Sequence, residues 1–306
     1  MADTSADPIA LTGVRKAYGA VKAVAGVNLA IGRGELFGLI GHNGAGKTTL
    51  FRLMLGLAAP DVGSVRVAGC EVGGHGWRAA RRRIGYLPER LALYDNLSGV
   101  ETLRFFARLK GAPVAQCGKL LERVNLAAAA GRPVQGYSKG MRQRLGLAQA
   151  LLGEPRVLFL DEPSNGLDPQ AIRDLHATLA ELRAQGVTII IASHILAELQ
   201  QRVDRLAIMA NGAIVALGSV RSLREQLALP LTIELRGAPE VLARARECVG
   251  DAATVQSDGD AQVLRVNCPR ERKMEILARL APAAAALADL QIHEPSLEDV
   301  YFEVRR

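Results

Sequence analysis

Cysteine is scarce and scattered in this chain: Cys70, Cys117, Cys248 and Cys268 are its only four, and no two form a CxxC pair. That excludes a disulfide framework and a structural zinc site, and it suits a reducing cytoplasm. The five histidines show no ligand spacing either, so no protein-bound transition metal is expected. No apolar run approaches the ~20 residues that a membrane helix needs. The opening MADTSADPIA lacks both the basic region and the apolar core of a secretory signal. The expectation is a soluble chain that borrows any membrane role from a partner.

What the chain does have is length and positive charge. At 306 residues it can bury a sizeable core, and one large plus one small domain is the natural expectation. Lysine and arginine exceed the acids, 38 against 31, for a net charge of +7. Arg81, Arg82 and Arg83, with Arg78 just before them, form the densest basic cluster. Such a cluster suits a solvated helix face, an anionic or membrane-surface partner, or nucleic acid.

Residues 9 to 80 read as short strands with turns. Leu36–Ile40 is a buried strand, and the helix after it carries Leu50, Leu53, Met54 and Leu57 on one face. From 98 to 151 the periodicity becomes helical. Ser98 and Glu101 make a capping box ahead of Leu103, Phe106 and Leu109, and a further helix surrounds Leu120, Leu121 and Val124. An α/β pattern returns at Val157–Leu160, a continuous apolar strand. Asp168 and Pro169 start a helix, Val187–Ala192 is another strand, and the turn Asn211-Gly212 separates strands near Leu206–Met209 and Ala213–Ala216. Alternating strands and helices predict a mostly parallel sheet with a helical insertion. Residues 231 to 306 offer two strands (Leu231–Leu235 and Gln262–Val266), two helices and an Ala-rich patch at 281–288 that reads as helix.

Chemistry concentrates in a few short stretches. Gly41-His42-Asn43-Gly44-Ala45-Gly46-Lys47-Thr48 fits G-x-x-x-x-G-K-[ST] between a buried strand and a helix. Glycine lets the backbone curl until its N–H groups cradle phosphate oxygens, Lys47 adds a point charge, and the Thr48 hydroxyl is placed to ligate Mg²⁺. Asp161 and Glu162 end an apolar strand, where carboxylates in a parallel sheet point at the ligand crevice. There Asp161 would hold hydrated Mg²⁺ and Glu162 would take a proton from an attacking water. His194 follows a strand and could polarise a γ-phosphate or organise the water, although a lone histidine at a strand end is more often structural. Tyr18, in a chain with few aromatics, reads as a core residue or a stacking partner for a base. Asp168 is a good helix cap whatever else it does. QGYSKGMRQRLGLAQ, residues 135–149, is a second loop feeding a helix start, hence a second anion-binding place.

Tyr18, GHNGAGKTT, IGYLPE, YSKGM, LFLDEP, SNGLD and SHIL occur in the order and spacing of ATP-binding cassette (ABC) transporter ATPases, and residues 9 to about 220 resemble that family. The resemblance implies a P-loop NTPase core of mostly parallel sheet with an antiparallel β part and a helical subdomain at about 90–152, followed by a small α/β extension, 221–306. It makes Tyr18 the adenine-stacking aromatic, His194 the switch histidine and Asp168 the D-loop aspartate. Thr49 joins the phosphate loop. Glu89 stands where the family usually has Gln, an oxygen ligand toward Mg²⁺ or the lytic water that adds charge. Met141 stands where the best-known signature has Gln.

GYLPE, LSGVETLRFFARLKGA and YSKGMRQRLGLAQALLGEP look like the branch whose permeases are of the ABC-2 type, and the closing PSLEDVYF resembles its C-terminal extension. Within that branch the wording is similar to NosF-type ATPases of nitrous oxide reductase maturation, which serve copper or sulfur delivery. The resemblance implies ATP and Mg²⁺ as cofactors and a homodimer on the cytoplasmic face of the cell membrane. Its expected partner is a multi-span permease, with a periplasmic accessory protein reached through it and no nucleic acid. In the dimer, Ser138 and the Gly140 N–H of one subunit would close over ATP held by the other. Drug, lipid or polysaccharide export is the alternative cargo. A soluble ABC protein of translation or DNA repair is a more distant one, since such chains carry two cassettes or a long coiled coil, and only roughly fifty residues separate Glu89 from Ser138 here.

Overall fold

The computed structural model describes residues 8–194, 199–200, 202–227, 229–250, 253–257, 262–296, 298–299 and 301. They fall into two compact units that divide between Leu217 and Gly218. Among the described residues no helix is long and apolar enough to cross a membrane.

The first unit holds two sheets. In the antiparallel one, β1 (Ile9–Tyr18) lies between β2 (Val21–Ile31) and β4 (Val62–Val67), with β5 (Cys70–Glu71) at the edge. Its inward set, including Ile9, Leu11, Val14, Val27, Leu29 and Val65, is buried in a single core. The second sheet has the order β10-β9-β3-β8-β7-β6. Its strands are β3 (Leu36–Ile40), β6 (Ile84–Leu87), β7 (Val157–Asp161), β8 (Thr188–Ser193), β9 (Arg205–Ala210) and β10 (Ala213–Gly218). Strands β9, β3, β8, β7 and β6 run parallel. Every residue of LFGLI, VLFLD and TIIIAS is buried, as expected of strands covered on both faces.

Helix α1 (Lys47–Met54) inserts Leu50, Phe51, Leu53 and Met54 into the core, where Phe51 meets the edge of Phe159 at 5.3 Å. Leu57 was expected on that face, but it is 59% exposed. The helix stops because Gly56 turns left-handed at φ +67, packed so tightly that an added Cβ would sit 2.7 Å from Trp77 Nε1. A short helix, α2 (Trp77–Ala80), leads into Arg81–Arg83, which are exposed.

The insertion between β6 and β7 carries α3 (Gly99–Lys110), α4 (Gln116–Arg123) and α5 (Lys139–Leu151). The capping box that starts α3 is present: Glu101 N–H donates to Ser98 Oγ, and Ser98 N–H donates to Glu101 Oε2 at 2.9 Å. Its buried stripe is Gly99, Thr102, Leu103 and Ala107. Phe106 is only half-buried and Leu109 is 68% exposed, so the apolar face expected from the sequence is rotated. The outer apolar residues form a surface group instead, with Tyr94 packed edge-on against Phe105 at 5.5 Å. Helix α6 (Pro169–Ala184) follows β7, and Asp168 caps it by accepting from Ala171 N–H at 2.8 Å.

The second unit opens with α7 (Val220–Gln226), capped by Ser219. It then runs β11 (Leu231–Arg236), α8 (Pro239–Val249), β12 (Thr254–Ser257), β13 (Val263–Cys268), α9 (Lys273–Ala284) and β14 (Asp289–His293). The antiparallel sheet order is β12-β13-β11-β14. This is a split β-α-β-β-α-β arrangement with its own core from Leu231 to Ala283. Two strands were expected and four are present among the described residues. The Ala-rich patch is helical only to Ala284, and the chain turns before β14.

His176 on α6 is 8% exposed, and its Nε2 is buried with no hydrogen-bond partner among the described residues. Burial, with the Arg202 charge as the smaller cause, pulls its pKa down to about 4. The unfolded chain gains a proton near pH 6.5 whereas the folded one does not, so stability is lost as pH falls from there toward about 4. The full loss is about 3 kcal/mol. Replacing His176→Leu removes this term, so the melting temperature of the variant minus that of the parent rises between pH 7 and pH 4.5. A gap that stays constant with pH contradicts a buried neutral histidine.

Candidate functional site

Four neighbouring parallel strands deliver their carboxyl ends to one edge of the sheet. The 41–48 loop follows β3, Glu89 follows β6, Asp161 closes β7 and Glu162 comes next, and His194 follows β8. Open α/β sheets bind ligands at this place.

The loop after β3 is braced from both sides. Gly212 N–H donates to Ala45 O at 3.1 Å, and Ala25 N–H of β2 donates to Gly212 O at 2.9 Å. That turn is left-handed at both Asn211 and Gly212, the geometry of a tight two-residue hairpin. A Cβ on Gly41 would lie 2.7 Å from Met209 O, and one on Gly46, at φ +105, would strike Ala23 O. Helix α1 starts at Gly46 with no side-chain cap and no acid in its first turn, so its first N–H groups and positive dipole end face the loop. Asn43, Gly44 and Thr48 are exposed there, His42 and Thr49 half-exposed, and Ala45 buried. Lys47 is 8% exposed, and its ammonium donates to Gly41 O at 2.5 Å and His42 O at 3.2 Å.

Electrostatics tie the strand ends together. Burial raises the Asp161 carboxyl to about 6, helped by the Glu162 and Glu89 charges and opposed by Lys47. Burial lowers the Lys47 ammonium, against the pull of Glu162, Asp161 and Glu89. Tyr86 on β6, which sequence reasoning passed over, is pushed up to about 12 by burial and the Asp161 charge, with Arg52 opposing. Two buried carboxylates, Asp161 and Glu162, and the buried Lys47 ammonium thus interact with one another and with the exposed Glu89.

Glu162 is held on every side. It takes a left-handed φ of +49, which costs a non-glycine residue of order 1–3 kcal/mol. Its N–H donates to Ala192 O at 2.9 Å, and its carboxylate pairs with His194 Nδ1 at 2.8 Å and accepts from Ser193 Oγ at 3.4 Å. His194 is the more open partner, 53% exposed. The rest of SHIL, Ile195 and Leu196, lies outside the described residues.

Tyr18 closes β1 at the hairpin whose second strand braces the loop, and it is 47% exposed, with Lys16 Nζ 5.6 Å from its ring centre. Arg15, Lys16 and Lys22 line a basic concave surface of ≈ 370 Å³ on this hairpin.

Ser138 and Gly140 belong to the start of α5, at the end of the helical insertion. Ser138 is exposed and caps the helix by accepting from Met141 N–H at 3.2 Å. Gly140 packs on the loop before Asp168: a Cβ there would be 3.3 Å from Gly166 O and 3.7 Å from Leu167. Gln143, one turn further on, is a buried polar residue that sequence reasoning missed. Its signal is a single amide on an otherwise apolar inner face of α5.

The ABC transporter family profile matches residues 24–165. Over 309 aligned residues, 99% of this chain and 96% of the relative, it is 34% identical to the daunorubicin resistance ATP-binding protein DrrA3 of Streptomyces coeruleorubidus. It is also 34% identical to the Nod factor export ATP-binding protein I of Rhizobium sp. (strain N33), over 97% of this chain and 96% of that one. A solved structure described as an ATP binding subunit of an ABC transporter superposes with a TM-score of 0.67 at 33% identity, covering 71% of this chain and 92% of that one. The braced glycine loop, the carboxylates at the strand ends and these similarities lead to one conclusion: the chain belongs to the ABC transporter family and carries its ATPase cassette.

Proposed function

We propose that this chain is the ATP-hydrolysing subunit of an exporter, working as a homodimer at the cytoplasmic face of the membrane and driving a separate multi-span permease. The observation that carries this reading is the constellation of buried Lys47, Asp161 and Glu162 with the more open His194 at the open end of four parallel strands. The cassette is assigned to residues 9–220 and the extension to 221–306.

The residues fit ATP with a divalent cation. Residues 41–49 present backbone N–H groups and Lys47 to the phosphates, and Tyr18 offers its half-exposed ring to the adenine. Asp161, Glu162 and Glu89 outweigh the single ammonium of Lys47, the charge balance that a cation would restore. Thr48, Asp161 and Glu89 would hold Mg²⁺, which when bound neutralises charge on the β- and γ-phosphates. Glu162 takes the proton of the attacking water, and His194, 2.8 Å from its carboxylate, orients that carboxylate and faces the γ-phosphate side. Asp168 acts through its cap on α6, which fixes the 164–168 loop against Gly140.

The start of α5 supplies the remaining donors in trans. Ser138 and the Gly140 N–H lie on an exposed helix start with no acid in its first turn. Offered to the partner subunit's ATP, they join two helix dipoles through one γ-phosphate, and hydrolysis removes that link. The exposed Tyr94, Phe105 and Leu109 group on the helical insertion supplies an apolar seat for the permease. For the cargo, near-full-length similarity to a daunorubicin resistance protein and a Nod factor export protein, extension included, favours export. The NosF-type role in copper or sulfur delivery, with its periplasmic accessory protein, rests only on the wording of the sequence within the ABC-2-type branch.

Two outcomes test the reading. Glu162→Gln retains ATP binding, loses steady-state hydrolysis by about 100-fold or more, and accumulates as an ATP-bound dimer in size exclusion; undiminished turnover removes Glu162 as the base. Ser138→Arg still binds nucleotide but shows no ATP-driven dimer when placed in the Glu162→Gln chain. A dimer of the double variant removes the trans site.

A further inference from the structure

Gln143 has no part in the site as drawn so far, yet it is 6% exposed and its amide touches the catalytic turn. Nε2 donates to Pro163 O at 3.1 Å and, more weakly, to Glu162 O at 3.5 Å. Two carbonyl partners select a donor, so Gln satisfies them and an ionised Glu would not. Glu162 O also accepts from Asn165 N–H at 3.2 Å, so the 162–165 turn is closed on itself and then fastened to α5.

Helix α5 runs from the Ser138 cap through Gln143 without interruption. Its first turn packs Gly140 on Gly166 O, and Gly166 takes a left-handed φ of +78 that glycine adopts without strain. The element that bears Ser138 is therefore fastened twice to the segment that bears Glu162, at 140/166 and at 143/163. Glu162 meanwhile sits in a left-handed conformation that a non-glycine residue keeps only when its surroundings hold it.

We propose that Gln143 is a positioning residue that sets the aim of Glu162, and that through it the seating of Ser138 on the partner subunit's ATP governs hydrolysis in this subunit's own site. This rests on the composite dimer site proposed above. An α5 drawn onto the partner's phosphate carries the Gln143 amide with it, and the Glu162 carbonyl and the Pro163 carbonyl follow. The carboxylate, already fixed at its other end by His194 and Ser193, is then brought onto the line of the attacking water.

The test uses the full chain. Gln143→Met keeps the shape and removes the donor, whereas Gln143→His returns an N–H at nearly the same reach. With Met, kcat falls about 10–100-fold while KM, ATP binding and the ATP-driven dimer seen in the Glu162→Gln background stay as in the parent. With His, most of kcat returns. If the Met variant does not fold, Gln143→Asn, whose amide falls one methylene short, takes its place beside the His variant. An unchanged kcat overturns the proposal, and so does loss of the ATP-driven dimer, which would make Gln143 an assembly residue. Absence of an ATP-driven dimer in Glu162→Gln alone overturns the composite site and the coupling with it. An intact dimer with unchanged kcat overturns the positioning role only.

Discussion

A pair of buried carboxylates facing one buried ammonium sets the terms for the rest of this molecule. Asp161, Glu162 and Lys47 are all less than a tenth exposed, and of the two carboxylates only Glu162 pairs with a histidine, His194. The Asp161 carboxyl stands at about 6 when folded against an ordinary 3.8, so its contribution favours folding at low pH and turns against it as pH rises through about 6. At neutral pH the ionised group costs about 3 kcal/mol. The left-handed turn at Glu162 adds strain of similar order. A chain retains such a cluster when a ligand binds the folded state and stabilises it by mass action. The cassette family supplies the ligand, ATP, whose phosphates suit Lys47 and the start of α1, while the carboxylates suit the divalent cation of the proposed site.

The strain is tolerable because the sheet beneath is over-determined. Strands β3, β7 and β8 are buried along their whole length, and their carboxyl ends are held in register by parallel ladders that pair Asp161 with Ala192 and Ile40 with Ser193. The phosphate loop is likewise fixed by backbone rather than by side chains, through Ala45, Gly212 and Ala25. Gly41 and Gly46 are required by close approach to Met209 and Ala23, so the loop's curvature is a packing consequence of the neighbouring hairpins.

Much of this was legible in the sequence wherever local chemistry and burial agree. LFGLI and VLFLD read as strands because both faces are covered, and Ser98 with Glu101 and Asp168 with Pro169 announced their helices through caps that the structure forms. Legibility failed where distant contacts decide. Gly56 ends α1 because Trp77 packs against it, which leaves Leu57 outside. The buried face of α3 keeps Leu103 as expected but continues through Thr102 and Ala107 rather than Phe106 and Leu109, while the aromatics cluster outside. Strand β14 alternates exposed and half-buried residues with no strong apolar signal, and β12 is four residues long. In the site, Lys47, Asp161 and Glu162 stood out by motif. Gln143 did not, because its importance comes from two carbonyls about twenty residues further along the chain.

The two helix starts that bracket the chemistry both leave the positive end of the dipole without a first-turn acid. Helices α3, α8 and α9 each carry a glutamate in the first turn, which offsets the positive end of the dipole. Helices α1 and α5 carry none, nor do α2, α4, α6 and α7, and α1 has no side-chain cap either. A helix start without a first-turn acid favours an anion beside it, and α1 and α5 are both of this kind, α5 with only its Ser138 cap. Ser138 is exposed and packs with Gly166 and Leu167 on its own subunit's catalytic loop through Gly140, whereas α1 opens onto the phosphate loop. In the proposed dimer the two starts complete each other across a shared γ-phosphate, and the apparent redundancy becomes one anion site divided between two copies. The dipoles then resist opening for as long as the phosphate remains, so the charge that makes the free pocket costly is also what holds the closed dimer together.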